Sequence, residues 1–73
     1  MSKHTVVICM ENTGFEASLE LRKLYEILPD SDAAKHGQVR VVDESGEDYL
    51  YPKSSFASVT LPQETIQQIF HAA

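Results

Sequence analysis

Apolar and polar residues alternate with a period of two along much of this chain, and the exceptions fall where turns are expected. Thr5 to Met10 is rich in β-branched residues and stops at Glu11-Asn12-Thr13-Gly14, a turn-forming cluster, which predicts a first strand. From Phe15 to Leu21, Phe15, Ala17, Leu19 and Leu21 alternate with Glu16, Ser18 and Glu20, predicting an extended segment with one dry side. A helix over Glu16 to Leu28 competes, because Leu21, Leu24, Tyr25 and Leu28 would share one helical face. It ranks second: Arg22-Lys23 reads as a turn, and Leu24 to Leu28 then forms a strand ending at Pro29-Asp30.

Asp30 to Gly37 reads as a loop with one helical turn, opened by an Asp30 or Ser31 cap and closed by Gly37. Gln38 to Asp43 and Asp48 to Pro52 are the next strands, joined by Glu44-Ser45-Gly46-Glu47 as a hairpin with a bulge, in which Gly46 takes a left-handed conformation. Pro52 ends that strand, Lys53 to Phe56 turn the chain, and Ala57 to Leu61 form a last strand. The period then changes to that of a helix over about residues 62–72. Thr60-Leu61-Pro62-Gln63 fits a capping box, and Ile66, Ile69, Phe70 and Ala73 make one apolar stripe.

Composition narrows the class. At 73 residues and 8.2 kDa the chain is a single domain, 1–73, with one small core. A net charge of -5 and a pI near 4.9 disfavour nucleic acid, whose phosphates an acidic surface repels. The single cysteine, Cys9, forms no internal disulfide, and the apolar run Val6 to Met10 is too short for a membrane span or a signal peptide. These features lead us to expect a cytoplasmic protein with neither export nor membrane anchor.

Short strands, tight turns and a terminal helix predict a mainly β fold, a small five-stranded barrel with a short C-terminal α-helix. Leu21-Arg22-Lys23-Leu24-Tyr25-Glu26-Ile27-Leu28 resembles the basic turn and strand after the first long loop of SH3-like barrels. Gly46 to Phe56 resembles the glycine, strand, proline and aromatic that close them. The segment Val41-Val42-Asp43-Glu44-Ser45-Gly46-Glu47-Asp48-Tyr49-Leu50-Tyr51-Pro52 is also similar to a group of small bacterial proteins of unassigned activity, a likeness that transfers no mechanism. Departures from signalling SH3 domains weigh against their proline-rich ligands. The chain has no tryptophan, its first long connection, Glu11 to Glu20, offers Phe15 but no tyrosine, and Phe56 stands four residues after Pro52 instead of three.

Candidate chemistry is sparse. Cys9, His4, His36 and His71 show no metal-ligand spacing, Ser45, Ser54 and Ser55 have no neighbouring histidine, and the glycines form no phosphate loop, so neither catalysis nor a cofactor is expected. Asp43, Glu44, Glu47 and Asp48 crowd one hairpin, yet their spacing departs from the twelve-residue calcium loop. A solvated tip that discourages edge pairing is the first reading, ahead of recognition of a basic segment and of a metal site. Glu16 and Glu20 add charge to the first connection. Tyr49 and Tyr51 share one strand face, with Leu50 on the other. Cover of the two tyrosines by the terminal helix ranks ahead of a partner site.

The expected function is a noncatalytic interaction module binding a partner protein or itself. Its candidate contact residues are Glu16, Glu20, Asp43, Glu44, Glu47, Asp48, Tyr49, Tyr51, Pro52 and Phe56. The alternative is a regulatory or metal-sensing small protein using the Asp43 to Asp48 hairpin.

Overall fold

The computed structural model describes residues 5–71; His4 and Ala73, named above, lie outside them. Five antiparallel strands form one sheet, followed by a helix. Strand β1 is Thr5–Cys9, β2 is Leu24–Leu28, β3 is Gln38–Val42, β4 is Asp48–Pro52 and β5 is Phe56–Val59. Helix α1 is Ser31–Lys35, a 3-10 turn covers Lys53–Ser55, and helix α2 is Gln63–Phe70. The order across the sheet is β4-β3-β2-β1-β5, so β4 and β5 are its two edges and the sheet does not close into the expected barrel.

Local signals explain most boundaries. Asp30 caps α1 by accepting from the Ala33 N–H at 2.9 Å, and Gly37 follows at φ +68°. The β3–β4 hairpin carries the bulge: Asp43 N–H donates to the Glu47 carbonyl at 3.0 Å, Gly46 N–H donates to the Asp43 carbonyl at 3.0 Å, and Gly46 sits at φ +84°.

Each strand has one core face and one outer face. Register pairs Val7 with Tyr25, Cys9 with Phe56, Ile27 with Val41, and Val39 with Tyr51 on the core face. Val7, Cys9, Leu19, Tyr25, Val41 and Tyr51 are buried there, with Phe15, Ile27, Val39 and Phe56 packed against them. The opposite face carries Val6 and Val59, paired across β1 and β5, and α2 lies along it with Ile66 buried. The buried Glu26 carboxylate, on this second face, is 2.8 Å from His71 Nε2 just beyond α2.

Three expectations need correction. Phe15 to Leu21 is not extended: Ser18 and Leu19 N–H both donate to the Phe15 carbonyl at 2.9 Å, a helix-like turn that sends Phe15 and Leu19 inward together. Leu21 is left 42% exposed. The reason is packing: one turn brings residues four apart, Phe15 and Leu19, onto the same core while the chain returns to pair β2 with β1. The last strand begins at Phe56 and ends at Val59 instead of spanning Ala57 to Leu61. The capping box at Thr60 does not form: α2 starts at Gln63 after an extended Pro62, with no side-chain cap, because Thr60 precedes the first turn by too much to reach its free N–H groups.

Candidate functional site

Among the described residues strand β4 pairs with β3 alone, through Val42 with Asp48, Val41 with Tyr49, Arg40 with Leu50, Val39 with Tyr51 and Gln38 with Pro52. Two backbone bonds set which residues face β3: Asp43 with Glu47 at the hairpin, and Lys53 N–H donating to the Gly37 carbonyl at 2.9 Å beyond the other end. Antiparallel pairs alternate between bonded and non-bonded positions, so Tyr49 and Tyr51 turn their backbone groups to β3. Asp48, Leu50 and Pro52 therefore turn theirs to the open edge. Pro52 contributes only a carbonyl.

Beside that edge lies an open depression of about 440 Å³, walled by Phe15, Ser18, Tyr49, Leu50 and Tyr51, with Asp43 and Ser45 at its polar end. The Tyr51 ring stands edge-on to Phe15 at 5.1 Å and to Phe56 at 6.3 Å between ring centres. Its hydroxyl donates to Asp43 Oδ2 at 2.6 Å, while Asp43 Oδ1 accepts from Ser45 N–H at 2.9 Å and from Ser45 Oγ at 2.5 Å. Burial pushes the Asp43 carboxyl upward, but the bonds from Ser45 and Tyr51 outweigh it and hold it below the ordinary aspartate value. Burial first, and the hydrogen bond to Asp43 second, raise the Tyr51 phenol.

A second polar cluster ties the first connection to the hairpin. Tyr25 Oη donates to Glu44 Oε2 at 2.5 Å and accepts from Glu20 N–H at 2.7 Å, and Lys23 Nζ is 2.5 Å from the same Glu44 oxygen. Bonds from Lys23 and then Tyr25 hold Glu44 low. Arg40 spans Asp30 at 2.8 Å and Asp48 at 3.0 Å. Tyr49 Oη donates to Glu47 Oε1 at 3.1 Å.

The candidate residues thus divide. Asp43, Tyr49 and Tyr51 meet in the depression, and the exposed Glu47 and Asp48 lead into the edge. Pro52 is exposed at the far end of β4, while Phe56 packs against the core. Glu44 belongs to the Lys23–Tyr25 cluster. Glu16 accepts from Gly14 N–H at 3.1 Å and Glu20 lies 3.4 Å from Lys23; neither walls the depression. The two tyrosines are not a matched exposed pair, nor does α2 cover them. Tyr51 is 4% exposed in the core, Tyr49 is 50% exposed, and α2 lies on the other side of the sheet. Leu50, on that other side by register, is 41% exposed and also uncovered.

Sequence reasoning missed Ser18, Ser45 and Leu50 as walls, and Lys23 with Tyr25 as the anchor of Glu44. Ser45 had a local signal, a short polar residue two positions after Asp43 in a turn. The Lys23–Glu44 pair, far apart in sequence, had none. Among the described residues no group of three His, Cys, Asp or Glu side chains is placed to hold a metal ion. No described helix is long and apolar enough to cross a membrane. Comparison with protein-family models, with curated proteins and with solved structures gave no match.

Proposed function

We propose that this chain is a noncatalytic interaction module that takes an extended segment of a partner protein along the open edge of β4, one partner side chain entering the depression beside Tyr49. The observation that carries the reading is the phase of the β3–β4 ladder. It leaves the backbone groups of Asp48 and Leu50 unpaired on an edge where Tyr49 and Leu50 are also half-exposed. Strand addition of this kind draws affinity from main-chain bonds and selectivity from the neighbouring pocket. Glu47 and Asp48 at the rim favour a segment with basic residues, acting on association rate and salt dependence more than on affinity. Asp43 and Glu44, engaged internally, are scaffold in this reading.

An SH3-like architecture and a cytoplasmic location belong to the same proposal. The strand order and the 3-10 turn between β4 and β5 are consistent with the first, although β4 and β5 do not pair. A free, fully buried Cys9 whose thiol burial pushes up, inert as a nucleophile, fits the second.

The test is peptide selection. Random peptides displayed on phage are enriched on the immobilised protein and re-screened on Leu50→Pro, which removes an outward N–H and spares the ladder to β3. The expected result is a set of extended, basic peptides that lose binding on Leu50→Pro and weaken as salt rises. Peptides indifferent to Leu50→Pro overturn the edge as the site; salt-independent binding overturns the acidic rim.

A further inference from the structure

The five residues of β4 and the residue that flanks it at each end, Glu47-Asp48-Tyr49-Leu50-Tyr51-Pro52-Lys53, are self-complementary about Leu50. Reversed, they place Tyr against Tyr and Leu against Leu at the centre and glutamate against lysine at the ends. We infer that the segment taken by this edge is β4 of a second copy of the chain, the two strands pairing antiparallel about a two-fold axis at Leu50. The inference rests on the edge reading above and adds the identity of the occupant.

Geometry and charge both select this register. Leu50 has its N–H and C=O facing outward, so two copies of Leu50 exchange two bonds at the axis. The outward Asp48 N–H meets the second copy's Pro52 carbonyl, which accepts although that residue has no N–H to give. Proline, a deterrent to most edge pairing, is thus tolerated where this register puts it.

Tyr49 and Tyr51 then fall at the closer, non-bonded position. Each exposed Tyr49 lies across from the buried Tyr51 of the other copy, over the depression bounded by Phe15 and Ser18. Just beyond the strand ends, exposed Glu47 of the hairpin turn, which also accepts from Tyr49 Oη, comes opposite exposed Lys53 at the start of the other copy's 3-10 turn, twice by symmetry. Asp48 is already tied to Arg40 at 3.0 Å and faces a proline, so the register brings no like charges directly opposite each other. An isologous contact of this form closes at two copies and leaves β5 and α2 out of the interface.

Sedimentation equilibrium of the full chain from micromolar to millimolar concentration tests this with three variants. Wild type is expected to show a monomer–dimer equilibrium. Glu47→Lys and Lys53→Glu, each alone, should weaken it about tenfold by replacing two opposite-charge contacts with two like-charge ones, and an equimolar mixture of the two should restore it as a heterodimer. Glu47→Lys is the sharper arm. It makes the chain less acidic by two charges, so general repulsion predicts tighter association where the register predicts weaker. Leu50→Pro should abolish the dimer while amide spectra retain the β3–β4 hairpin.

A dimer indifferent to the charge exchange and to Leu50→Pro overturns the proposal. A wild type that stays monomeric at millimolar concentration also overturns it. If Leu50→Pro-sensitive peptides still bind in that case, the edge reading stands with another occupant; if none bind, both fall.

Discussion

Tyr51 holds a buried phenol against the buried Asp43 carboxylate, so one oxygen atom there has measurable weight. Tyr51→Phe keeps the ring that stands edge-on to Phe15 and Phe56 and removes the 2.6 Å bond to Asp43. The expected cost is about 1–3 kcal/mol in urea unfolding, the range for leaving a buried acceptor short of its donor. Acid should act through the same group. Asp43 and Glu44 are held below their ordinary values, so the stability they contribute is fully present above about pH 5, beyond their unfolded values, and lost as pH falls through their folded values. Tyr51→Phe removes one of the bonds that lower Asp43, so its folded value moves back toward the unfolded one, and denaturation measured over a pH series should show a smaller acid-dependent loss that ends at higher pH than in wild type.

Helix α2 shows how unevenly an apolar stripe is used. Ile66, Ile69 and Phe70 share a helical face, yet Ile66 is 3% exposed over Val6 and Val59, whereas Ile69 is 49% exposed beside an open hollow shared with Leu24 and Val42. Ile66→Ala should cost about 2–4 kcal/mol and Ile69→Ala within about 0.5 kcal/mol, read from urea midpoints. Equal costs would mean that α2 sits differently on the sheet. The periodicity that located this helix was plain in the sequence, whereas the depth of each residue was not. The same holds for the first connection: Phe15 and Leu19 were legible as apolar, but alternation misread their spacing because a single turn places residues four apart on one side just as a strand places residues two apart.

Across the whole molecule, two buried phenols join the sheet to its loops. Tyr25 ties β2 to Glu20 of the first connection and to Glu44 of the hairpin, and Tyr51 ties β4 to Asp43. Burial, and then the neighbouring carboxylates, raise both phenols above their ordinary value near 10. A group raised on folding stabilises below its unfolded pKa and ceases to do so as pH climbs through the folded one. Alkaline titration should therefore unfold the chain cooperatively, with circular dichroism falling together with the ionisation of the two buried tyrosines. Tyrosines that ionise while the sheet signal persists would refute this. The proposed pairing of β4 edges belongs to this level too, since it asks for two intact sheets and no rearrangement within either.

Local interactions made much of the architecture readable from the chain: a β-branched run before a turn for β1, turn-bounded or alternating runs for β2, β3 and β4, an aspartate before α1, and a glycine in the β3–β4 hairpin. These features are set by contacts within a few residues, so they survive translation from sequence to structure. The choice of faces is not local. Tyr49, Leu50 and Tyr51 read equally well with either side dry, and the matter was settled by where distant pieces landed, Phe15 and Leu19 on one side of the sheet and α2 on the other. The Glu44 contacts with Lys23 and Tyr25, and the open edge of β4, arise in the same way. They depend on which strands become neighbours, and that is governed by burial of the whole apolar set at once, a quantity no short stretch of sequence carries.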